Sequence, residues 1–285
     1  MNRDDVQRQA EGEGEGPHLK PHERKDVKEK SAPRTEVIYE AVRKEGEDEL
    51  KRSPSALAWD GLAAGLSMGF SMAAEGLLRA HLPDAKWRPA VSKLGYSVGF
   101  LIVVMGSQQL FTENTLTVVL PFLRSPTARN LTRVLWLWAV VLAANLAGAL
   151  LFAAVAAHTE LFRPEVRAAF YAIGRDALEG GWATIFLRGV YAGWLIALMV
   201  WMLPAAETAR PLVVIIMTYL VGFAGLAHVI AGSVEVMYLC LTGGAPASDY
   251  FGWLLPTLLG NVVGGTTLVA ALSHAQVVNE SGGKA

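Results

Sequence analysis

The sequence predicts an all-α polytopic membrane protein in which six transmembrane segments, two of them broken, form two inverted three-helix repeats. Three observations support this fold class: six long apolar stretches, polar or glycine-rich interruptions within two of them, and internal similarity between the two halves of the chain. Hydrophobic residues make up 52% of the 285 positions, which is typical of a chain that lies mostly in a bilayer.

The first 54 residues form a charged leader that we predict to be cytoplasmic. They hold 12 of the 25 Lys and Arg residues and 14 of the 26 Asp and Glu residues. Residues 1–32 are too charged and too poor in apolar side chains to bury a core, so disorder is expected there. A short amphipathic helix is predicted within residues 35–50, either as a lid or lipid-surface helix or, as we favour, as a solvated connection to the first span. No apolar signal-peptide segment precedes it.

Residues 55–276 form the predicted transmembrane channel domain, and residues 277–285 a cytoplasmic tail. A hydrocarbon core about 30 Å thick needs about 20 apolar residues per helix. The second and fifth stretches exceed that length and contain the interruptions, so each is interpreted as two half-helices joined by a loop. The six stretches are 56–80, 94–122, 131–157, 181–203, 211–242 and 251–276.

The short loops predict the orientation. Arg124, Arg129 and Arg133 lie in the loop after the second stretch with no acidic residue among them, which indicates a cytoplasmic loop. An even number of spans then places both termini in the cytoplasm. Basic residues in the loop at 81–93 would lie outside, where they would attract anions to a vestibule.

Internal repetition supports the inverted architecture. An offset of 116 residues superposes residues 144–158 on 260–274, pairing Asn145 with Asn261. An offset of 128 superposes DGLAAG (60–65) on RGVYAG (188–193). Three helices per repeat is an odd number, so the second repeat enters the membrane from the opposite side.

The interruptions Gly106–Thr115 and Gly222–Val229 are expected to meet at a permeation site. Continuing the offset of 116 into them pairs Gly106 with Gly222, Leu110 with Leu226, and Thr112 with His228.

Helix breaks at membrane depth expose backbone N–H groups, and half-helix N-termini attract oxyanions. We therefore interpret His228 as a hydrogen-bond or proton donor to an anion, oriented by the Thr112 hydroxyl. The alternative is a histidine that only packs.

Other polar residues within the apolar region are possible site residues. Glu113 and Glu235 would be costly in a membrane without a role, although Glu113 could instead cap a half-helix. Asp60 and Arg188 occupy equivalent repeat positions and are interpreted as marking the two pore mouths. Asn145 and Asn261 are expected to bond to loop backbone rather than to cargo.

Several function classes are disfavoured by the sequence. It contains no HExxH, and no apolar stretch carries a histidine pair on one helix face, so neither an enzyme nor a metal or cofactor site is predicted. Cys240 is the only cysteine, which excludes an intrachain disulfide and a thiolate cluster. The net charge of −1 gives no indication of nucleic-acid binding.

The motifs of these spans resemble the formate/nitrite transporter family, of which this chain would be a divergent member. LFTENT (110–115) is similar to the family's loop motif in the second span, and AHVIAG (227–232) to its histidine loop in the fifth. Further matches are ANLAG (144–148), AGWLIALMVWM (192–202) and GNVVGG (260–265).

The resemblance implies a homopentamer of aquaporin-like protomers in a bacterial-type cytoplasmic (inner) membrane. Each protomer would carry small monovalent anions of weak acids, such as formate or nitrite, with or without H⁺. It assigns the central histidine to His228, the loop threonine to Thr112 and a constriction-forming aromatic to Phe111. An aquaporin-like channel for neutral solutes and a non-conducting membrane scaffold are the alternatives.

Three positions depart from the family pattern, and they leave the cargo open. The family usually has Glu before the histidine, where this chain has Ala227. Gly232 and Gly193 each replace a frequent Asn. Losing a carboxylate beside the ring is expected to change the basicity of the histidine and the local field.

Overall fold

The computed structural model describes Lys20, His22 and residues 33–271, and within these every regular element is a helix. Residues up to Arg34 form a separate unit, whose described members are exposed. Most of the predicted disordered leader, the predicted tail at 277–285 and the end of the sixth stretch lie outside the described residues.

The helices follow the predicted order along the chain. The first half contains α1 (Thr35–Glu49), α2 (Pro54–His81), α3 (Arg88–Ser92), α4 (Ser97–Met105), α5 (Phe111–Thr117), α6 (Val119–Arg124) and α7 (Ala128–His158), with a 3₁₀ turn at Lys93–Tyr96. The second half contains α8 (Pro164–Leu178), α9 (Trp182–Ala206), α10 (Arg210–Phe223), α11 (Ala231–Leu241) and α12 (Ala247–Val263), with a 3₁₀ turn at Glu207–Ala209 and a π-helical stretch at Gly264–Ala271.

All six predicted spans are present, and the two predicted breaks are confirmed. Spans 1, 3, 4 and 6 correspond to α2, α7, α9 and α12 with its π-helical extension; span 2 is α3 to α6, and span 5 is α10 with α11. Stretches long and apolar enough to cross a membrane are Pro54–His81, Arg88–Met105, Ala128–His158 and Trp182–Phe223. The remaining half-helix α11 is apolar but shorter, because a break divides its span.

Local signals fix the beginnings of the long helices. The Ser53 hydroxyl accepts a hydrogen bond from the Ala56 N–H at 3.3 Å, and Pro54 occupies the first position of α2, where its missing N–H costs nothing. Thr127 caps α7 in the same way through the Asn130 N–H at 3.2 Å.

Helix α8 was not predicted from the sequence. It lies between spans 3 and 4, and its apolar residues Val166, Phe170 and Ile173 are buried. Their spacing of four and three residues is typical of an amphipathic helix. Because α8 is too short and too polar to cross a bilayer, a search for long apolar stretches passes over it.

The loops of the two breaks have the same backbone hydrogen bonds, but at an offset of 118 residues. The Gln108 N–H donates to the Val103 carbonyl, and the Leu226 N–H donates to the Val221 carbonyl, both at 3.0 Å. Positive φ angles occur at Ser107 (51°) and Gly225 (62°), which are again 118 apart.

The predicted offset of 116 is therefore wrong within the loops. The offset of 116 holds at Asn145 and Asn261. Asn145, however, accepts a hydrogen bond from the N–H of Phe111, 34 positions before it, whereas Asn261 accepts one from the N–H of Val229, 32 positions before it. The first repeat thus has two more residues between its loop and its third helix. Thr112 and His228 are not repeat equivalents, and the counterpart of His228 is Leu110. Gly106 and Leu110 likewise do not correspond to Gly222 and Leu226.

Glycines allow the spans of each repeat to pack closely. A Cβ atom at Gly65 on α2 would lie 2.1 Å from the Asn145 carbonyl oxygen, and one at Gly193 on α9 would lie 2.3 Å from that of Asn261. Any larger residue would force these helices apart. The two positions are 128 residues apart, as the predicted match of the first and fourth spans requires.

Helix α1 packs on the transmembrane bundle instead of extending into solvent. Tyr39 and Val42 are buried, and a Cβ atom at Gly46 would lie 1.9 Å from the Thr117 carbonyl oxygen at the end of α5. Arg124 at the end of α6 pairs with Glu40 of α1 at 2.9 Å. The helix therefore covers one end of the second span.

Candidate functional site

Asn145 holds the loop of the second span. Its Oδ1 accepts a hydrogen bond from the Phe111 N–H at 2.9 Å, and its Nδ2 donates to the carbonyls of Gln109 and Gly61, both at 2.8 Å. The side chain is fully buried. One amide thus satisfies backbone groups that the break leaves unpaired and ties the loop to α2.

Asn261 holds the loop of the fifth span in the same way. Its Oδ1 accepts from the Val229 N–H at 2.8 Å, and its Nδ2 donates to the carbonyls of Ala227 at 2.8 Å and Gly189 at 2.9 Å. These contacts with loop backbone are those that the predicted supporting role requires.

Thr112 and His228 are in direct contact between the two loops. The Thr112 Oγ1 lies 2.8 Å from His228 Nε2, and the exposed fractions of the two side chains are 0% and 1%. The Ala231 N–H donates to His228 Nδ1 at 3.2 Å. Because Nδ1 accepts, the neutral ring carries its proton on Nε2 and donates it to the Thr112 hydroxyl. The hydroxyl hydrogen of Thr112 is then available to another acceptor.

The aromatic ring packed against His228 is that of Phe100, whereas the constriction that the resemblance assigns to Phe111 stays a prediction. The ring centroids of Phe100 and His228 are 4.9 Å apart, in an edge-to-face arrangement. Phe111 packs its ring on Trp138 at 5.9 Å and lines neither of the two cavities described below. Its backbone N–H, through Asn145, is the part of Phe111 that supports the loop.

His228 lines a cavity of about 70 Å³, which we call the histidine cavity. This volume admits a few water molecules or one small oxyanion. The other lining residues are Lys93, Tyr96, Ile173, Asp176, Ala177, Ile185, Arg188, Gly222, Gly225, Leu226, Ala227, Gly232, Glu235 and Trp253.

The histidine cavity contains charges of both signs. Lys93 pairs with Glu75 behind the cavity, at 2.6 Å, and Glu75 is completely buried in α2. Glu235, with an exposed fraction of 7%, lines the cavity itself. Asp176 of α8 pairs with Arg79 at 2.8 Å. Two deeply buried carboxyl groups thus lie near one partly buried ammonium group.

The predicted mouth residues Asp60 and Arg188 have different surroundings. Arg188 lines the histidine cavity, and its guanidinium donates to the neutral Glu179 carbonyl at 2.6 Å. Asp60 instead pairs with Arg52 and lines neither cavity. Of the two, the structure brings Arg188 alone to His228.

A second cavity, of about 230 Å³, lies beside α1, and we call it the acidic cavity. Glu45, Glu49 and Glu113 line it together with Arg210. Burial raises the pKa of Glu49, against the opposing effect of its ion pair with Arg52 at 3.2 Å.

Glu113 lines the acidic cavity from the first turn of α5. Its Oε1 is buried and has no hydrogen-bond partner among the described residues. A favourable interaction with the helix dipole remains available at this position. The carboxyl group is therefore free to respond to what the cavity holds.

At two of the positions that depart from the family pattern, neighbouring atoms leave no room for a side chain. Gly193 has no room for a side chain, as its contact with Asn261 shows. A Cβ atom at Gly232 would lie 2.5 Å from Cζ2 and 2.7 Å from Cη2 of Trp253. The indole of Trp253 thus occupies the space into which a residue 232 side chain would project.

Sequence reasoning did not identify Phe100, Trp253, Lys93 or the buried position of Glu75. Phe100 and Trp253 lie in apolar helices, where an aromatic residue predicts packing only. Lys93 belongs to the basic loop at 81–93 that was expected to lie outside, and no role was assigned to Glu75. Their opposite charges, 18 residues apart across one tight connection, were the only available signal.

Comparisons with known proteins agree with this arrangement. The family sequence model described as "Formate/nitrite transporter" matches residues 36–275. The inner membrane protein YfdC of Escherichia coli is 42% identical over 252 residues, covering 88% of this chain and 81% of YfdC.

Two solved structures share the fold. A chain described as a pentameric formate channel with formate bound has a TM-score of 0.66 at 21% identity and covers 83% of this chain. An FNT family ion channel has a TM-score of 0.73 at 16% identity and covers 82%. The matches include 99% and 96% of those chains, so the transmembrane architecture is shared throughout.

Proposed function

The chain belongs to the formate/nitrite transporter family, and we propose that it is a membrane channel or transporter for small monovalent anions of weak acids. The observation that carries this proposal is the contact of Thr112 with His228 at the junction of two broken helices. His228 lines one cavity, and Glu113, next to Thr112, lines the other. We infer that a solute crossing between the two cavities passes this pair.

The central pair offers hydrogen bonds without a fixed charge. His228 is a neutral donor through Nε2–H, and the Thr112 hydroxyl can donate onward. An anion that replaces the Thr112 oxygen as acceptor would receive a hydrogen bond in surroundings that exclude water. A fully charged species would still be costly at this depth.

Coupling to a proton follows from that cost. A weak-acid anion that takes up H⁺ in a cavity can cross the apolar stretch as a neutral molecule. His228 is suited to hydrogen-bonding this molecule rather than to holding a proton, because protonating Nδ1 would break the bond from the Ala231 N–H. Glu235 in the histidine cavity and Glu113 in the acidic cavity are the nearest carboxyl groups.

The assembly and location proposed for the chain follow its relatives. We propose a homopentamer with one passage per protomer, in a bacterial-type inner membrane, with both termini in the cytoplasm. The name of the 42% identical protein and the pentameric structural relative support the membrane and the assembly. The arginine-rich loop at Arg124 to Arg133 supports the orientation.

The test is uptake of an anion panel by proteoliposomes with and without an imposed pH gradient. Formate, nitrite and acetate should enter faster than in protein-free vesicles, with an increase when the outside is more acidic. His228→Ala should lose most of the uptake, whereas His81→Ala, at an exposed helix end, should retain it.

The alternatives have their own outcomes in this experiment. Movement of water or glycerol without anions, unchanged by His228→Ala, would identify a neutral-solute channel and overturn the proposal. No flux of any solute, with pull-down of a partner that depends on residues 1–54, would indicate a membrane scaffold.

A further inference from the structure

We propose that the indole N–H of Trp253 binds the anion in the histidine cavity, forming a subsite that a small carboxylate or similar oxyanion occupies before it reaches His228. This inference rests on the proposed anion transport and adds to it a recognition site. Trp253 is 2% exposed and lines the same cavity as His228.

The indole nitrogen of Trp253 has no hydrogen-bond partner in the described protein. This Nε1 atom is buried. A buried N–H without an acceptor is costly, and such groups in folded proteins are nearly always satisfied. Because an indole nitrogen donates and never accepts, its natural complement is a species rich in acceptor atoms, as an oxyanion is.

The cavity also supplies the charge that such a ligand requires. Arg188 lines it. Its guanidinium donates a hydrogen bond to the neutral Glu179 carbonyl, and this contact does not compensate its positive charge. Glu235 and Asp176 are the opposing carboxyl groups in the lining. Asp176 is paired with Arg79 at 2.8 Å, and Lys93 lies close enough to interact with Glu235 as well as with Glu75. A single small anion can therefore be accommodated among these groups.

The position of the indole is fixed by its neighbours. Gly232 leaves the space that the ring fills, as the 2.5 Å approach of a Cβ atom there indicates. The ring of Tyr250 stacks beside Trp253 at 6.4 Å, and the Tyr250 hydroxyl is held within 3.1 Å of the Ser233 hydroxyl. A donor fixed in this way loses little entropy when the ligand binds.

Two loop residues of the histidine cavity offer no polar side chain. Ala227 and Gly232 both line it, together with Trp253. The glycine leaves room for the indole, whose N–H supplies a polar group to the same cavity. Recognition by this group thus comes from α12, which carries Trp253.

The variant that tests the subsite is Trp253→Phe, which removes the N–H and keeps an aromatic ring. Initial uptake rates over a range of formate concentrations should show KM raised about tenfold or more, as expected for a lost hydrogen bond to a charged group. Trp59→Phe, at a position 71% exposed on α2, is the matched control and should leave KM unchanged.

A binding measurement separates the subsite from transport. In protein labelled with ¹⁵N at its 8 tryptophan indoles, titration with formate should move one N–H resonance downfield. That resonance should be absent from Trp253→Phe. In a control titration with the same buffer lacking formate, it should not move.

The two measurements give distinguishable outcomes. Wild-type anion uptake with no shifted resonance and an unchanged KM in Trp253→Phe would overturn the subsite and leave the proposed function standing; Trp253 would then be satisfied by water. A shifted resonance without uptake by the wild type would support the subsite and overturn transport. Absence of both would overturn both.

Discussion

At the scale of single residues, the chemistry that we propose for the passage depends on one hydrogen-bonded pair. The Ala231 N–H fixes the tautomer of His228 by donating to Nδ1, and this directs the Nε2 proton to Thr112. A threonine and a histidine at separate points of an apolar sequence thereby become one donor unit. The backbone, through the first turn of α11, sets which nitrogen faces the solute.

Replacing Thr112 by valine should lower anion uptake less than replacing His228 by alanine. Valine removes the acceptor of the Nε2 proton and the onward donor, for a loss of about fivefold per neutral hydrogen bond. Thr112→Ser should retain most of the rate because the hydroxyl is kept. Initial uptake rates in proteoliposomes measure this order, and equal, complete loss in Thr112→Val and His228→Ala with normal folding would indicate a purely structural role.

Replacing Gly193 by the asparagine of the family pattern is expected to destabilise the protein. Gly193→Asn places a side chain where a Cβ atom would already lie 2.3 Å from the Asn261 carbonyl oxygen. Forcing α9 from α12 should cost about 1–3 kcal/mol of stability. The midpoint of thermal unfolding in detergent measures the loss, and a midpoint equal to that of the wild type would show that the helices can separate freely.

At the scale of the elements, the two breaks persist because asparagines replace the missing helical hydrogen bonds. Asn145 and Asn261 each make three hydrogen bonds, two of them to the loop and one to the first helix of their repeat. A loop at membrane depth would otherwise expose unpaired backbone groups.

Removing either asparagine should destabilise the protein strongly. Asn145→Ala or Asn261→Ala leaves buried loop groups unpaired, and we expect a loss of about 3 kcal/mol. Asn130→Ala, which removes an exposed amide that bonds to the Ser125 carbonyl, should change stability by less than about 0.5 kcal/mol. Thermal unfolding in detergent compares the three variants. Equal midpoints would contradict the proposal that Asn145 and Asn261 hold the loops in place.

The Glu49 carboxyl should hold α1 more firmly in acid than at neutral pH. Glu40 acts in the opposite direction, because its hydrogen bond from Arg43 and its pairing with Arg124 lower its pKa. Burial raises the pKa of Glu49, so the folded state favours its neutral form. The resulting stability is fully present below the ordinary pKa of a glutamate and is lost as the pH rises through the raised value.

Glu49→Gln tests this pH dependence. At neutral pH, the α1 amides of the variant should exchange hydrogen more slowly than those of the wild type, and the two should agree in acid. Asp48→Asn is the control, because Asp48 is on the exposed face and its pKa is lowered by the hydrogen bond from Lys51. Faster exchange in Glu49→Gln at neutral pH would show that its ion pair with Arg52 dominates instead.

At the scale of the whole molecule, the sequence was sufficient for the class and the number of spans. Apolar length and the interruptions predicted six segments and two breaks, because both follow directly from the thickness of a bilayer. Asn145, Asn261, Thr112 and His228 could be found because polar residues are rare at such depth.

The loop register, the surroundings of the site and helix α8 could not be predicted by matching the sequence to itself. The loop register was wrong by two residues because matching small apolar residues does not reveal a local difference in length. Phe100 and Trp253 could not be told from packing residues, since one is distinguished by its contact with the His228 ring and the other by the cavity that it borders. Helix α8 lies outside the apolar spans, so its contribution of Asp176 to the histidine cavity was also missed.

The two cavities, which we propose as the ends of the passage, are unlike in charge. Around the acidic cavity are three glutamates and one arginine, whereas charges of the two signs are closer to balance around the histidine cavity. When those carboxyl groups are ionised, anions are depleted locally at the acidic end, and added salt weakens this depletion by screening. Unidirectional flux starting from that end should therefore rise with ionic strength more steeply than flux in the reverse direction, so that the molecule behaves as a salt-sensitive rectifier.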